Sequence, residues 1–359
     1  MTTQDIDFTA LAQDIRLWGE ELGFQQVGIC DTDLSDAEQH LMNWLDDGFH
    51  GDMDWMQRHG TRRSRPADLV KGTVRVISAR MDYLPSDTTP PNEVLQNKHK
   101  AFVSRYALGG DYHKILRKRL QKLIDRVADT TGEFGYRVFT DSAPVLEKAL
   151  AEKAGIGWIG KHSNLLNKKA GSWFFLGEIY TDLPLPIDQP ATNHCGECNA
   201  CITACPTDAI VAPYRVDAQR CISYLTIELK GSIPEELRPQ MGNRIYGCDD
   251  CQLVCPWNRF AQSTHETVFA SRHGLDNGDL VELFLWSKQE FDERMQGSAI
   301  RRIGYERWLR NIAVALGNAR TSNEILNALR QRLDYPSKLV VEHVKWAISQ
   351  HEPQANDQL

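Results

Sequence analysis

The chain has 359 residues, of which 42% are hydrophobic, 25% charged and 9% aromatic, with a net charge of −7. This composition is that of an ordinary soluble globular protein and excludes disordered, collagen-like and coiled-coil chains, while the length allows two or three domains. No apolar stretch approaches the ~20 residues needed to cross a bilayer, and the acidic start MTTQDIDFTALAQDI has neither the basic nor the apolar region of a secretory signal. The cytoplasm is the expected compartment, with no membrane partner.

Residues 8–23 carry apolar side chains at helical spacing and stop at Gly23. A strand at 25–30, helices near 35–47 and 52–58, and a strand over 73–80 follow. The stretch 84–99 holds three prolines and reads as a loop. Residues 101–107 read as a strand, 111–131 as a long basic helix, 136–140 as a strand, 144–154 as a helix opened by its proline, and 172–181 as a strand. This mixture predicts an α+β domain over 1–185. The Pro-rich stretch 183–190 (LPLPIDQP) leads into a cysteine-rich domain at 190–260. Beyond 275 the pattern is helical to 350, near 278–285, 288–294, 304–317, 321–333 and 336–349. The segment 308–318 resembles the inner helix of a HEAT-like unit. Residues 351–359 form a polar tail. No long heptad pattern is visible, so a monomer is expected.

Eight of the nine cysteines lie between 195 and 255. In a reducing compartment such a cluster points to metal rather than disulfides. Cys195-x2-Cys198-x2-Cys201-x3-Cys205-Pro206 has the spacing of a bacterial ferredoxin run, in which three thiolates wrap one [4Fe–4S] cubane and the fourth reaches another cluster. A second run, Cys248-x2-Cys251-x3-Cys255-Pro256, lacks its first cysteine, because position 245 is Ile. Cys221 is the replacement. A crossed assignment then uses every thiol: Cys195, Cys198, Cys201 and Cys255 for cluster one, and Cys205, Cys221, Cys248 and Cys251 for cluster two. Zinc is the alternative, but its sites separate two C-x2-C pairs by a loop. The ninth, Cys30, ends the first strand and reads as a small buried apolar residue.

Charge is unevenly placed. Residues 1–90 carry net −8, whereas 98–126 carry +7 and 294–346 carry +6. The basic segments include Arg117 and Lys118, and Arg301 and Arg302. Interleaved Tyr and Trp make nucleic-acid contact one reading; a solvated helix face is the other. Gly155-Ile-Gly-Trp-Ile-Gly160 fits G-x-G-x-x-G but follows a helix instead of a strand, so dinucleotide binding is not expected. Asp111-Tyr-His113 begins like the D-x-H-x-x-G motif of proteins that ligate cobalamin through His, but Leu116 stands at the glycine position. Asp141, between a strand and Pro144, reads first as a helix N-cap. To serve as a general acid it would need a pKa raised by burial.

Several motifs together resemble one family. They are Tyr106-Ala-Leu-Gly-Gly-Asp111-Tyr-His113-Lys-Ile-Leu-Arg117, Thr140-Asp141-Ser-Ala-Pro with 154–161 (AGIGWIGK), Cys221-Ile-Ser223-Tyr-Leu-Thr226, and 242–251 (GNRIYGCDDC). With the eight-cysteine layout they identify the chain as a member of the epoxyqueuosine reductases, which complete queuosine in bacterial tRNA. The resemblance covers nearly the whole chain. It implies an N-terminal α+β cobalamin-binding domain, a dicluster ferredoxin-like Fe–S domain and a C-terminal all-helical HEAT-like region. Cobalamin would be base-off with no protein His ligand, and the clusters would pass electrons singly to cobalt from an external donor such as flavodoxin or ferredoxin. The substrate would be epoxyqueuosine at the wobble position of tRNA, gripped at the anticodon stem-loop. By position, Asp141 would be the proton donor. Arg63, Ser104, Leu165, Leu176, Ser223, Asp249 and Asp250 would contact cobalamin, as would Trp158 as a wall of the corrin. Lys230 would contact tRNA, with Arg117, Lys118, Arg301 and Arg302. Position 162 is His where the family more usually has Asn, and the C-terminal helical region is shorter than in some relatives.

Overall fold

The structure, a computed structural model, describes residues 6–352; positions 353–359 of the expected polar tail lie outside them. A four-stranded antiparallel sheet organises the N-terminal domain, with Gln26–Cys30, Arg75–Asp82, Phe174–Thr181 and Tyr136–Phe139 side by side in that order. Successive side chains of a strand point to opposite faces. On one face Phe175 and Ile179 pack under the helices Phe8–Glu21 and Tyr112–Thr131. On the other, Phe174, Leu176 and Tyr180 meet the helix Glu147–Lys153. Both faces are covered, so the whole of Phe174–Thr181 is buried. The Tyr112–Thr131 helix follows from its sequence. Asp111 caps it by accepting from His113 N at 3.0 Å. Leu116, Leu120, Leu123 and Val127 recur on one buried stripe, and Gly132 ends it at φ +80°.

Three expected elements differ. The strand expected over 101–107 is only Phe102–Val103, followed by a 3-10 turn at Arg105–Ala107, because Ser104 turns aside to bond the next domain. The loop expected over 84–99 contains a short helix, Pro91–Gln96. The helix expected from 144 begins at Glu147, so Pro144 precedes it and does not open it. The glycines of 155–160 also find their role. Gly155, at φ +71°, follows the end of that helix, and a Cβ on Gly157 would lie 2.1 Å from the Leu166 carbonyl oxygen across a tight hairpin. They serve close backbone packing, not a phosphate.

The cysteine-rich domain is built from short helices, turns and two-residue strands. It joins the N-terminal domain through a parallel pairing of Phe102–Val103 with Arg244–Tyr246. The C-terminal helices are Leu280–Leu285, Lys288–Arg294, Gly304–Gly317, Asn323–Arg330 and Lys338–Ser349. Among the described residues no helix is long and apolar enough to cross a membrane.

The Gly304–Gly317 helix is buried along almost its whole length and ties the C-terminal region to the cysteine-rich domain. The buried Arg310 guanidinium donates to the carbonyls of Leu225, Leu229 and Gly231 at 2.6–2.8 Å. Asn311 Nδ2 donates to Thr226 O and Ile245 O, each at 2.9 Å. Removing that amide strands two buried carbonyls. Asn311→Leu should therefore cost about 2 kcal/mol, read as a lower urea midpoint of the cluster-loaded protein; an unchanged midpoint would show that other donors satisfy these carbonyls.

Candidate active site

Two short helices, Ala200–Thr203 and Asp250–Leu253, pack together and carry Cys201 and Cys251. Around them the eight thiols fall into two groups, all free of disulfides. Cys195, Cys198, Cys201 and Cys255 line one cavity of about 230 Å³. Cys221 and Cys248 pack against one apolar cluster, and Cys251 lies near Cys201 as well as near Cys221 and Cys205. The first four thiols thus share one cavity, and Cys251 stands between them and the other set.

Residues beside the cysteines fasten the loops. Asp249 is buried and accepts from Ser104 Oγ at 2.5 Å and Arg105 N at 2.8 Å. Burial pushes its carboxyl up to about 6 against those hydrogen bonds. Asp250 takes both arms of the Arg244 guanidinium at 2.5 and 2.6 Å. Ser223 is half-buried just after Cys221. Leu165 and Leu176 share one apolar cluster with Phe139 and Phe174. Arg63 is buried over the Trp55 ring, and its Nε–H has no partner. Trp158, expected as a corrin wall, packs edge-on against Trp257 and His194, which line the first cysteine cavity.

Asp141 does not cap a helix. Its φ of +45° is outside the extended region a cap needs, and the helix starts six residues later. Its carboxylate instead accepts from Tyr112 Oη and lies 3.3 Å from His113 Nε2. His113 Nδ1 is held by Asp111 Oδ1 at 2.6 Å. The Asp141 backbone N–H donates to Glu147 Oε2 at 3.2 Å. A left-handed non-glycine residue tends to mark a functional constraint. The raised pKa expected for Asp141 is not what this geometry produces. Burial pushes the carboxyl up, but the His113 and Tyr112 hydrogen bonds and the His113 and Arg302 charges hold it below the usual range. The proton resides on the imidazole: burial lowers His113, but its bonds to Asp111 and Asp141 raise it to about 9.

Asp141 and Lys148 keep solvent-accessible surface, yet surrounding protein desolvates both. Lys148 Nζ donates to Ser163 O at 2.7 Å, and the neighbouring Asn164 Nδ2 lies 3.9 Å from Cys251 Sγ. The segment 163–164 therefore links the Asp141–Lys148 stretch to a thiol of the second cysteine set. The broken D-x-H-x-x-G pattern sets His113 aside at the level of sequence; Tyr112, Glu147 and Lys148 carry no signal there beyond lying in the motifs around Asp111 and Asp141.

The basic residues divide. Arg117, Lys118, Lys230 and Arg301 are exposed. Arg119 is committed to Glu266 at 2.6 Å, and Arg302 pairs with Glu228 while its charge reaches Asp141. Arg117 lies one helical turn beyond His113 on the same helix.

A carboxylate–imidazole pair beside a domain with a ferredoxin-type cysteine run is the build of an iron–sulfur oxidoreductase. A family model described as a 4Fe-4S double cluster binding domain matches residues 194–258, and one described as epoxyqueuosine reductase QueG matches residues 63–142. An epoxyqueuosine reductase of Pseudomonas aeruginosa is 62% identical over 346 residues, covering 96% of each chain. A crystal structure of epoxyqueuosine reductase with an epoxyqueuosine-modified tRNA-Tyr stem loop superposes with a TM-score of 0.87 at 27% identity, covering 95% of this chain and 90% of that one. A Bacillus subtilis epoxyqueuosine reductase whose catalytic aspartate loop is swung out of the active site superposes with a TM-score of 0.86 at 26% identity, with the same coverage. The chain belongs to the epoxyqueuosine reductase family, oxidoreductases that act on tRNA.

Folding raises the His113 pKa, so its contribution to stability is complete below the ordinary value of 6.5 and is lost as pH rises to about 9. The melting temperature of wild type should fall across that window relative to that of His113→Gln; parallel curves would place the proton elsewhere.

Proposed function

We propose that this chain reduces the epoxide of epoxyqueuosine in the wobble position of tRNA to the alkene of queuosine, releasing water, in a two-electron, two-proton reaction. The observation that carries this reading is the Asp141–His113 pair, set on a stretch that residues 163–164 link to Cys251. In the reading, Cys195, Cys198, Cys201 and Cys255 hold one [4Fe–4S] cluster, Cys205, Cys221, Cys248 and Cys251 hold the other, and a small external donor such as flavodoxin or ferredoxin feeds them.

Cobalamin would be held base-off beside Asp141. Both nitrogens of His113 are engaged, Nδ1 by Asp111 and Nε2 by Asp141, so this ring has none free for cobalt. Arg63 offers its unpartnered buried Nε–H, and the residues around Ser104, Leu165, Leu176, Ser223, Asp249 and Asp250 supply the remaining contacts. When bound, cobalamin supplies a low-potential metal centre for breaking the carbon–oxygen bond.

The protein supplies the proton. An alkoxide leaves poorly, so the epoxide oxygen must be protonated as its bond breaks. Asp141 presents the carboxylate edge, and the imidazolium of His113 behind it holds the proton that Asp141 passes on. Tyr112 and Glu147 fix the loop through the side chain and the backbone N–H of Asp141. The swung-out catalytic aspartate loop of the Bacillus subtilis relative supports this assignment. Substrate and corrin would exclude water from Asp141 and strengthen each of these interactions. Arg117, Lys118, Lys230, Arg301 and Arg302 meet the anticodon stem-loop, and the enzyme works as a cytoplasmic monomer.

Asp141→Asn should keep both clusters and bound corrinoid but lose at least about 10²-fold in turnover; wild-type turnover would remove Asp141 as the donor. Charge reversal at Lys230, or at Arg117 with Lys118, should weaken tRNA binding and flatten its salt dependence by about one unit of slope for each phosphate left without its cation. Titrations superimposing on wild type would move the tRNA surface elsewhere.

A further inference from the structure

His162 is a buried histidine that the proton chemistry does not use. It is 5% exposed and lies in the turn between the two short strands Trp158–Ile159 and Leu165–Leu166. Its Nδ1 accepts a hydrogen bond from the backbone N–H of Asn164 at 3.1 Å. A ring nitrogen that accepts carries no proton, so the ring is neutral and its hydrogen is on Nε2. That Nε2 is fully buried and has no partner. A buried donor left without an acceptor needs an explanation. The ring lines the cavity formed by Cys195, Cys198, Cys201 and Cys255. The neighbouring cation differs: Lys161 Nζ lines the same cavity but is satisfied, donating to Cys198 O and Asn199 Oδ1, each at 3.0 Å.

We propose that the His162 Nε2–H donates a hydrogen bond to a sulfur of the cluster held by these four cysteines and sets that cluster's reduction potential. The inference rests on the assignment of a [4Fe–4S] cluster to this tetrad. Adding one electron makes the cluster more negative, and a donor aimed at sulfur stabilises the reduced form more than the oxidised one. His162 thus raises the potential of cluster one. The second tetrad has other neighbours: Ala209 N donates to Cys205 Sγ at 3.2 Å, Asn164 Nδ2 lies 3.9 Å from Cys251 Sγ, and Asp250 Oδ2 is 2.9 Å from Cys248 Sγ. Loss of the His162 donor therefore lowers the potential of cluster one alone. The exposed Cys198 also makes it the more accessible to an external donor.

The test is an EPR-monitored redox titration of the protein carrying both clusters, wild type against His162→Phe, together with pulsed EPR of reduced wild type labelled with heavy nitrogen in histidine. His162→Phe keeps a ring of similar size but no donor. One cluster should shift to lower potential while the other stays, and wild type should show a histidine nitrogen and an exchangeable proton coupled to the reduced cluster. Unchanged potentials for both clusters, or no nitrogen coupling in wild type, overturn the proposal. If His162→Phe does not assemble its clusters, the wild-type coupling decides alone. If Cys198→Ser leaves both clusters intact, the assignment of this tetrad fails, and the proposal fails with it.

Discussion

The buried carboxylate of Asp249 joins the two halves of this enzyme. It sits between Cys248 and Cys251 in sequence and accepts from Ser104 Oγ and Arg105 N of the other domain. A carboxylate out of water is costly unless its oxygens are bonded, so the cysteine loop has one stable place against the N-terminal domain. The parallel pairing of Phe102–Val103 with Arg244–Tyr246 extends the same joint. The same loop carries Cys251, whose Sγ lies 3.9 Å from Asn164 Nδ2, next to Ser163, whose carbonyl takes Lys148 Nζ at 2.7 Å. The long helix Gly304–Gly317 braces the other side, with Arg310 and Asn311 fastening the backbone at 225–231 and at Ile245.

Around Asp141 the electrostatics divide labour. Asp141 is held as an anion by the groups bonded to it, while His113 keeps the proton between two carboxylates. A proton stored on the imidazole and presented by a carboxylate is available near neutral pH, where an isolated aspartic acid would already have lost it. The left-handed backbone at Asp141 aims the carboxylate away from the helix it precedes. Below, Glu178 is fully buried in the sheet and driven to its neutral form by burial and by the charge of Glu147, so the floor of the site adds no further anion.

The cysteine spacing is the most legible feature of the sequence, because a ferredoxin run encodes its ligand geometry within a dozen residues. Long helices with one apolar stripe, such as Tyr112–Thr131, are equally plain. Features made by groups far apart in the chain are not legible. Ser104 abandons its strand for a partner 145 residues away. Asp141 has the sequence of a cap, and only the meeting of residues 111–113 with residue 141 shows otherwise. The incomplete D-x-H-x-x-G pattern points away from His113, yet that ring is central once both its nitrogens are seen to be engaged. The basic segments mislead in part, since Arg119 is committed to Glu266, while Arg117, Lys118, Arg301 and Arg302 stay exposed, Arg302 even as it pairs with Glu228.

The proposed reaction makes one demand that can be met or refused in a single experiment: electrons would pass through the clusters to bound cobalamin while Asp141 delivers a proton to the epoxide oxygen. The direct measurement is single-turnover reduction of epoxyqueuosine-bearing tRNA by anaerobically reconstituted protein, with and without added cobalamin. Queuosine formed only when cobalamin is present is the predicted result. Equal yields without it, or no queuosine despite intact clusters and bound corrinoid, would contradict the account.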